Sequence, residues 1–423
     1  MRSFFLIAVY LAILSLGFQS SFIFVLGYVW VDIFTPQLVA YTLLPSVPVS
    51  LIMAFCVFVS LFLLPKDQFV TLRVPTVLTL LFAIWMTATL IWAEVPDAAY
   101  AKWNWAIKNV LFSCMIPFFI RSRVQFEAFI WTVVLSGMAH CLTFGAKVVI
   151  SGGGYGRPLG LIEANSGYGE GSTLAMFSIC LIPLILYLYK WQTLIPYPKA
   201  TKWMLIGFIV AALLTSLGTY ARTGLISIAV LSSLLILQSR HKVYYFFGAV
   251  VLAAVLSIFV SDDWVLRMST IGDGADQSAM GRVAVWLWTL DYVALNPLGG
   301  SFDTYRINQS SLSLEDGTSL VIAAKASHSI YFEILAELGF LGILLFASLV
   351  FVTLKYLREV RRTQLSSQQK WFSDTGIYLR FSLLVYLVGG LFIGIAFQPY
   401  LYYVVALAVA LNNLAQRLKA NGE

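Results

Sequence analysis

Apolar residues run along this chain in long blocks, not in alternation with polar ones. The blocks lie at roughly 4–30, 38–64, 74–92, 104–120, 127–149, 172–189, 203–219, 223–238, 243–260, 337–355, 378–396 and 400–415. Most approach the ~20 residues a helix needs to cross about 30 Å of hydrocarbon. The pattern predicts an all-α polytopic membrane protein with about 12 transmembrane helices. The first block is long and broken at Gly17, so it reads as one span or two shorter pieces; Pro45 and Pro48 delay or kink the second. A long polar stretch, partly helical, separates the ninth and tenth spans. The expected organisation is therefore 1–260, spans one to nine with a Gly-rich loop near 151–171; 261–336, a loop domain; and 337–423, the last three spans and a C-terminal tail.

Composition supports a bilayer as the solvent. The 423 residues are 60% hydrophobic and 11% charged, against roughly a quarter charged in soluble domains. No internal repeat, low-complexity tract or soluble cytoplasmic domain stands out. The four cysteines, Cys56, Cys114, Cys141 and Cys180, all fall in apolar blocks and read as small core residues, with no disulfide or metal framework. Arg2 ahead of an apolar run looks like a signal peptide, but no small-residue cleavage site follows, so the first helix is expected to be uncleaved.

The net charge of +7 would suggest nucleic acid in a soluble chain. Here the basic residues sit in short loops, and orientation explains them better. Arg2, Lys66, Arg73, Arg121, Arg123, Lys190, Lys199, Lys202, Arg240, Lys242, Lys355, Arg358, Arg361, Arg362, Lys370, Arg417 and Lys419 fall at alternate ends of the spans. The opposite short loops hold Lys102, Lys147, Arg157 and Arg222. An even span count with both termini cytoplasmic satisfies that pattern. It puts the Gly-rich loop and the 261–336 loop outside. The amphipathic segment Val283 to Leu295, with Trp286, Trp288 and Tyr292, is expected to lie along the membrane surface.

Few residues are suited to chemistry. There is no phosphate-binding Gly-x-x-x-x-Gly-Lys-Ser/Thr loop, no Cys/His cluster at metal spacing and no His-Glu-x-x-His. His328 stands in Ala-Ser-His-Ser-Ile-Tyr-Phe-Glu, at the start of an expected helix that Ser327 or Ser329 can cap. The positive end of a helix dipole disfavours imidazolium, so a neutral His328 suits a general base; a plain loop histidine is the alternative. Arg222 stands at the outer junction of two spans, in the first turn of a helix. It reads as a phosphate ligand or as an arginine snorkelling to head groups. Arg282 and Trp286 share a helix face at i,i+4, which suits a guanidinium over an indole beside an anion, or an arginine on lipid phosphate. Lys147 and Arg157 flank the Gly-rich loop and can also meet an anion; its glycines either admit a ligand to the backbone or make a flexible loop. His140, inside a span, reads as a histidine hydrogen-bonded between helices. His241, in Ser-Arg-His-Lys, adds to a basic cluster.

Several ordered motifs resemble the O-antigen ligase and polymerase superfamily of bacterial envelope glycosyltransferases. They are Thr219-Tyr220-Ala221-Arg222-Thr223-Gly224; Gly281-Arg282 with Trp286; Asn296-Pro297-Leu298-Gly299-Gly300; and Ala326-Ser327-His328-Ser329 leading to Glu337-Leu338-Gly339-Phe340-Leu341-Gly342. The resemblance covers roughly 205–345. The stretch Tyr28-Val29-Trp30-Val31-Asp32 is similar to the N-terminal region of an exosortase-associated branch of O-glycosylation ligases. The resemblance implies a bacterial inner-membrane enzyme with its active site facing the periplasm. It implies transfer of a glycan from undecaprenyl diphosphate to an acceptor hydroxyl on lipid A-core, a glycan or a protein. Arg222 and Arg282 would then hold the diphosphate and His328 would serve the hydroxyl. No cofactor, metal or nucleic acid is expected, since a lipid diphosphate is already an activated leaving group and fixed guanidinium groups can stabilise its charge. Direct displacement would invert the anomeric centre. The rival from another class is a lipid-linked glycan transporter. Against it stand the absence of a repeated half and the gathering of the motifs on one side of the membrane.

Overall fold

A computed structural model describes residues 1–64, 72–154, 160–162, 167–257, 264, 277–313, 319–362 and 369–420. Arg157 lies outside the described residues, as do 261–263, 265–276 and 314–318 of the expected 261–336 loop domain. The chain is helical nearly throughout. In order, the helices are α1 (Arg2–Gly17), α2 (Ser21–Phe34), α3 (Val49–Phe62), α4 (Val74–Ala88), α5 (Pro96–Phe119), α6 (Arg123–Ser151), α7 (Gly171–Trp191), α8 (Pro198–Gly218), α9 (Arg222–Gln238), α10 (Lys242–Ser257), α11 (Gln277–Leu295), α12 (Ile330–Arg362), α13 (Lys370–Gly389) and α14 (Pro399–Ala420). One departure from an all-α chain is an antiparallel hairpin, β1 (Gln309–Ser313) and β2 (Ser319–Ala323), with Gln309 opposite Ala323.

Local chemistry explains the main boundaries. Ser122 and Gln125 form a reciprocal capping box at the start of α6, and Gly152 ends that helix in the left-handed region at φ +80°. The Glu170 carboxylate caps α7, accepting from the Ser172 and Thr173 amides at 3.0 and 2.6 Å. Proline opens α4, α5 and α8, where no intrahelical amide is needed.

Among the described residues, five helices are long and apolar enough to cross a membrane: Val74–Trp92, Arg123–Ser151, Gly171–Trp191, Pro198–Gly218 and Ile330–Val360. Four more apolar helices run 10–17 residues. This is a membrane-embedded helical bundle, read from length and composition. The five long helices fall short of the dozen spans expected from hydropathy because α1, α2, α3 and α9 are short, while α5 and α13 carry charges along their length. The core lies on α7 and α14. α7 is buried on every face, as an all-round apolar helix must be. α14 is buried continuously from Tyr400 to Leu411.

The 4–30 block resolves into its two shorter pieces. α1 and α2 fold back as a hairpin: Gly17 faces Phe24 at one end, and the Arg2 guanidinium donates to the Val39 carbonyl at the other. Thr35, Gln37 and Leu38 share a cavity with Ala101, Gly167 and Gln398. Arg73, at the start of α4, is tied instead to Asn413 and Gln416 near the end of α14. The two chain ends thus sit at opposite ends of the bundle, which differs from the shared side that the charge pattern suggests.

Candidate active site

One end of the bundle holds a cavity of about 390 Å³ where α5, α7, α11, α12 and the α13–α14 connection converge. Arg282 and His328, nearly fifty residues apart in sequence, both line it. Two walls of different character face each other across this space.

The first wall is a cluster of charges that sequence reasoning missed. Glu333 and Glu337, one turn apart on α12, both accept from the Lys102 ammonium of α5 at 2.7 Å. Asp303 Oδ1 lies 3.7 Å from the same nitrogen, and the Asp303 amide donates to Glu337 Oε1 at 2.9 Å. Glu333 Oε2 accepts from the Ala396 amide at 2.9 Å. The side chains are 18% exposed for Lys102, 10% for Glu333 and 3% for Glu337, so solvent screens this pairing only weakly. The sequence lacks an obvious carboxylate cluster; the fold builds one and fills it with a lysine. Among the described residues, no group of three or more His, Cys, Asp and Glu is arranged to hold a metal ion.

The second wall carries Arg282 and His328. His328 has φ +48°, a left-handed backbone that non-glycine residues adopt at a cost of about 1–3 kcal/mol. Its neighbours hold it there. Asn308 clamps Lys325 through both ends of its amide, with bonds to the Lys325 carbonyl at 2.6 Å and from its amide at 3.0 Å. The Trp286 indole donates to the Ser327 carbonyl at 2.9 Å. The Ile330 amide donates to the Gly390 carbonyl at 2.8 Å. The residue stays open at its edge, yet the walls of the cavity strip water from the imidazole. That desolvation, then the Arg282 guanidinium, pushes the His328 pKa below its ordinary value, and Lys325 adds to the drop while Glu170 and Glu333 oppose it. His328 thus leans towards its neutral form at the wall of a cavity that Arg282 also lines.

Trp286 works differently from expectation. Its ring stacks on Phe332 of α12 at 4.9 Å and 3°, and its nitrogen fixes Ser327, so it holds the histidine loop rather than lining the cavity. The capping role expected of Ser327 or Ser329 falls to the Gly390 carbonyl, which accepts from the Ile330 amide at 2.8 Å, and the Ser329 hydroxyl is buried without a hydrogen-bond partner. α11 is helical as expected, but its Tyr292 donates to Glu94 at 2.8 Å, packing it onto the protein.

Arg222 opens α9, half-buried, and stands outside the lining of this cavity. Lys147 is exposed near the end of α6 and also stands outside it. In the 151–171 loop Gly153 packs closely on Gly218 while Gly152 and Gly167 face open space; Gly154 donates to the Gly218 carbonyl at 3.0 Å, and the Tyr220 hydroxyl donates to the Gly152 carbonyl at 2.7 Å. His140 is buried and bonds the Ile33 carbonyl at 3.1 Å, the interhelical contact its position suggested. His241 is exposed beside Tyr244.

Two of the ordered motifs interlock. Gly339 breaks α12 at φ +65°, ψ −164°, a region open to glycine alone. The Asn296–Gly300 turn fits into that break: Phe340 donates to the Pro297 carbonyl at 2.9 Å, Gly300 to Ala336 at 3.0 Å and Ser301 to Glu337 at 2.8 Å. Trp85 and Trp92 cap the junction by donating to the Leu338 and Gly299 carbonyls at 2.8 and 3.0 Å. The joint sets the pose of the Glu333–Glu337 turn and, through it, of the cavity.

Comparison with known families follows this architecture. Residues 207–347 match the family described as O-antigen ligase. This part of the chain is similar to O-antigen ligases. It contains Arg222, Arg282, the Asn296–Gly300 turn, His328 and Gly339, so the resemblance drawn from those motifs is borne out. Residues 1–193 match a family of unknown function, DUF5935. No curated protein matches the chain. Lys102 and Trp105 come from the part that matches DUF5935 and Arg282 and His328 from the part that matches the O-antigen ligase family, so the cavity is built by both.

Proposed function

We propose that this protein is an inverting, metal-independent glycosyltransferase. It moves a glycan from undecaprenyl diphosphate to an acceptor hydroxyl on the periplasmic side of the bacterial inner membrane, in an O-antigen ligase-type reaction with lipid A-core as acceptor. The observation that carries this reading is the convergence on one cavity of Arg282 and a neutral-leaning His328, both from the stretch that matches the O-antigen ligase family. In the reaction, His328 takes the proton of the acceptor hydroxyl as its oxygen attacks the anomeric carbon. The bond to the diphosphate oxygen breaks on the opposite face, and the guanidinium of Arg282 stabilises the departing charge. Arg222, with Lys147 and Arg157, would meet the donor's diphosphate along its approach, outside the reacting cavity. The Lys102 ammonium offsets one charge of the Glu333–Glu337 pair, which reduces their repulsion of an anionic donor.

Polymerisation of a glycan and protein O-oligosaccharyl transfer use the same donor chemistry and differ only in acceptor. The products of a deletion strain separate them: O-antigen missing from lipid A-core, a shortened polymer, or unglycosylated protein. Purified protein given lipid-linked donor and acceptor should form an inverted linkage with chelator present. Donor moved across vesicles with its glycan intact would instead identify a transporter.

A further inference from the structure

A second cavity, about 540 Å³, opens on the far side of Trp105, Gly167 and Gln398, residues that line both spaces. Its other walls come from α2, α3, α5 and the start of α14. This lining is unlike a lipid groove. One carboxylate, Asp32, and one ammonium, Lys108, nearly cancel in charge, and Gln37, Asn104 and Asn109 supply amides. A phosphate or an acidic headgroup would need an excess of cations, which is absent among the described lining residues. The Gln37 side-chain oxygen is buried with no hydrogen-bond partner, so it lacks a donor that a ligand hydroxyl would supply. Asp32 gives one oxygen to the Tyr403 hydroxyl and keeps a second acceptor oxygen.

Flat surfaces complete the set. Tyr28 is stiffened by stacking on Phe112 at 3.6 Å and Tyr168 by stacking on Phe177 at 4.2 Å. Trp105, 41% exposed, forms part of the wall shared with the first cavity. A pyranose presents an apolar C–H face and a rim of hydroxyls that both donate and accept. The open Trp105 indole, backed by the buried tyrosines, beside amides and a near-neutral charge pair matches that chemistry.

We propose that this second cavity is a carbohydrate subsite that holds neutral sugar residues of the acceptor, next to the sugar whose hydroxyl reacts. The acceptor assignment rests on the transfer reading above. Arg282 lines the first cavity and not the second, and in-line displacement needs the nucleophile to approach away from the leaving diphosphate, so a sugar site without the arginine suits the acceptor better than the donor.

Saturation-transfer NMR on the full-length protein in detergent tests the proposal with cellotriose, maltotriose and chitotriose as probes. Asn104→Ala and Lys108→Ala lie at exposed positions that the fold does not depend on. Binding of at least one trisaccharide is expected, weakened about tenfold in each variant, as losing one well-made polar contact implies, and retained in Arg282→Ala. In turnover, Asn104→Ala should raise KM for the acceptor and leave KM for the donor unchanged. No saturation transfer to any trisaccharide, or saturation transfer in Asn104→Ala and Lys108→Ala equal to wild type, overturns the subsite. A raised donor KM with unchanged acceptor KM overturns the acceptor assignment. Sugar binding without any glycosyl transfer would leave the subsite standing and sink the transfer reading instead.

Discussion

Gly299 and Gly339 meet backbone to backbone, so closely that a Cβ on Gly299 would lie 2.5 Å from the Gly339 nitrogen and one on Gly339 would lie 2.6 Å from the Gly299 nitrogen. Both have positive φ, +76° and +65°. Gly339→Ala therefore meets a forbidden backbone region and a clash with rigid main chain together. It should cost more than about 2 kcal/mol. A lower melting temperature of the detergent-purified protein would show this, and a melting temperature equal to wild type would show that the joint has slack.

Lys102 is the counter-ion of two carboxylates on α12, and its removal should be harsher than loss of a surface pair. Lys102→Met leaves Glu333 and Glu337 facing each other in a poorly solvated cleft. Breaking such a pair costs about 3–5 kcal/mol when fully buried, and the partial exposure of Lys102 places the expectation at the lower end. The double variant Lys102→Met/Glu337→Gln should recover much of the loss, because one charge is removed. Thermal unfolding of the single and double variants forms the cycle, and an unimproved double variant would argue against the charge explanation.

The pH dependence of transfer should report His328. The base must be neutral, and burial with Arg282 holds its pKa below the ordinary 6.5. The acidic limb of kcat/KM should therefore fall below 6.5, with activity rising as pH increases through it. Lys325 contributes to that depression. Lys325→Met should move the limb towards higher pH. An unmoved limb, with activity otherwise intact, would mean that another group titrates.

The hairpin of α1 and α2 also makes a topological prediction. If the bundle's two ends face the two sides of the membrane, a cysteine placed at Ser3 and one placed at Gln416 should react with impermeant maleimide from opposite sides. Labelling of both from one side would return the chain to an even number of crossings.

What the sequence revealed and what it hid divide along a physical line. The apolar blocks were legible because crossing a bilayer demands ~20 apolar residues in succession. Arg282 and His328 were legible because little else along the chain was suited to chemistry, and the structure brings both to one cavity. The Lys102–Glu333–Glu337 cluster was not: its members are more than 200 residues apart, and only the packing of α5 on α12 pairs them. Lys102 looked like a loop charge that sets orientation. Trp286 was read from i,i+4 geometry on its own helix, whereas its stacking partner, Phe332, comes from a different one. Arg222 carried a motif signal as strong as that of Arg282, but a position in the chain says nothing about which cavity a side chain enters.

Transfer by purified single variants tests the central claim most directly. With lipid-diphosphate-linked glycan and acceptor supplied at saturation, His328→Ala and Arg282→Ala should each lower kcat by about 100-fold or more, while folding as judged by melting temperature stays near wild type. Full turnover by either variant would contradict the assignment of this cavity as the reaction centre.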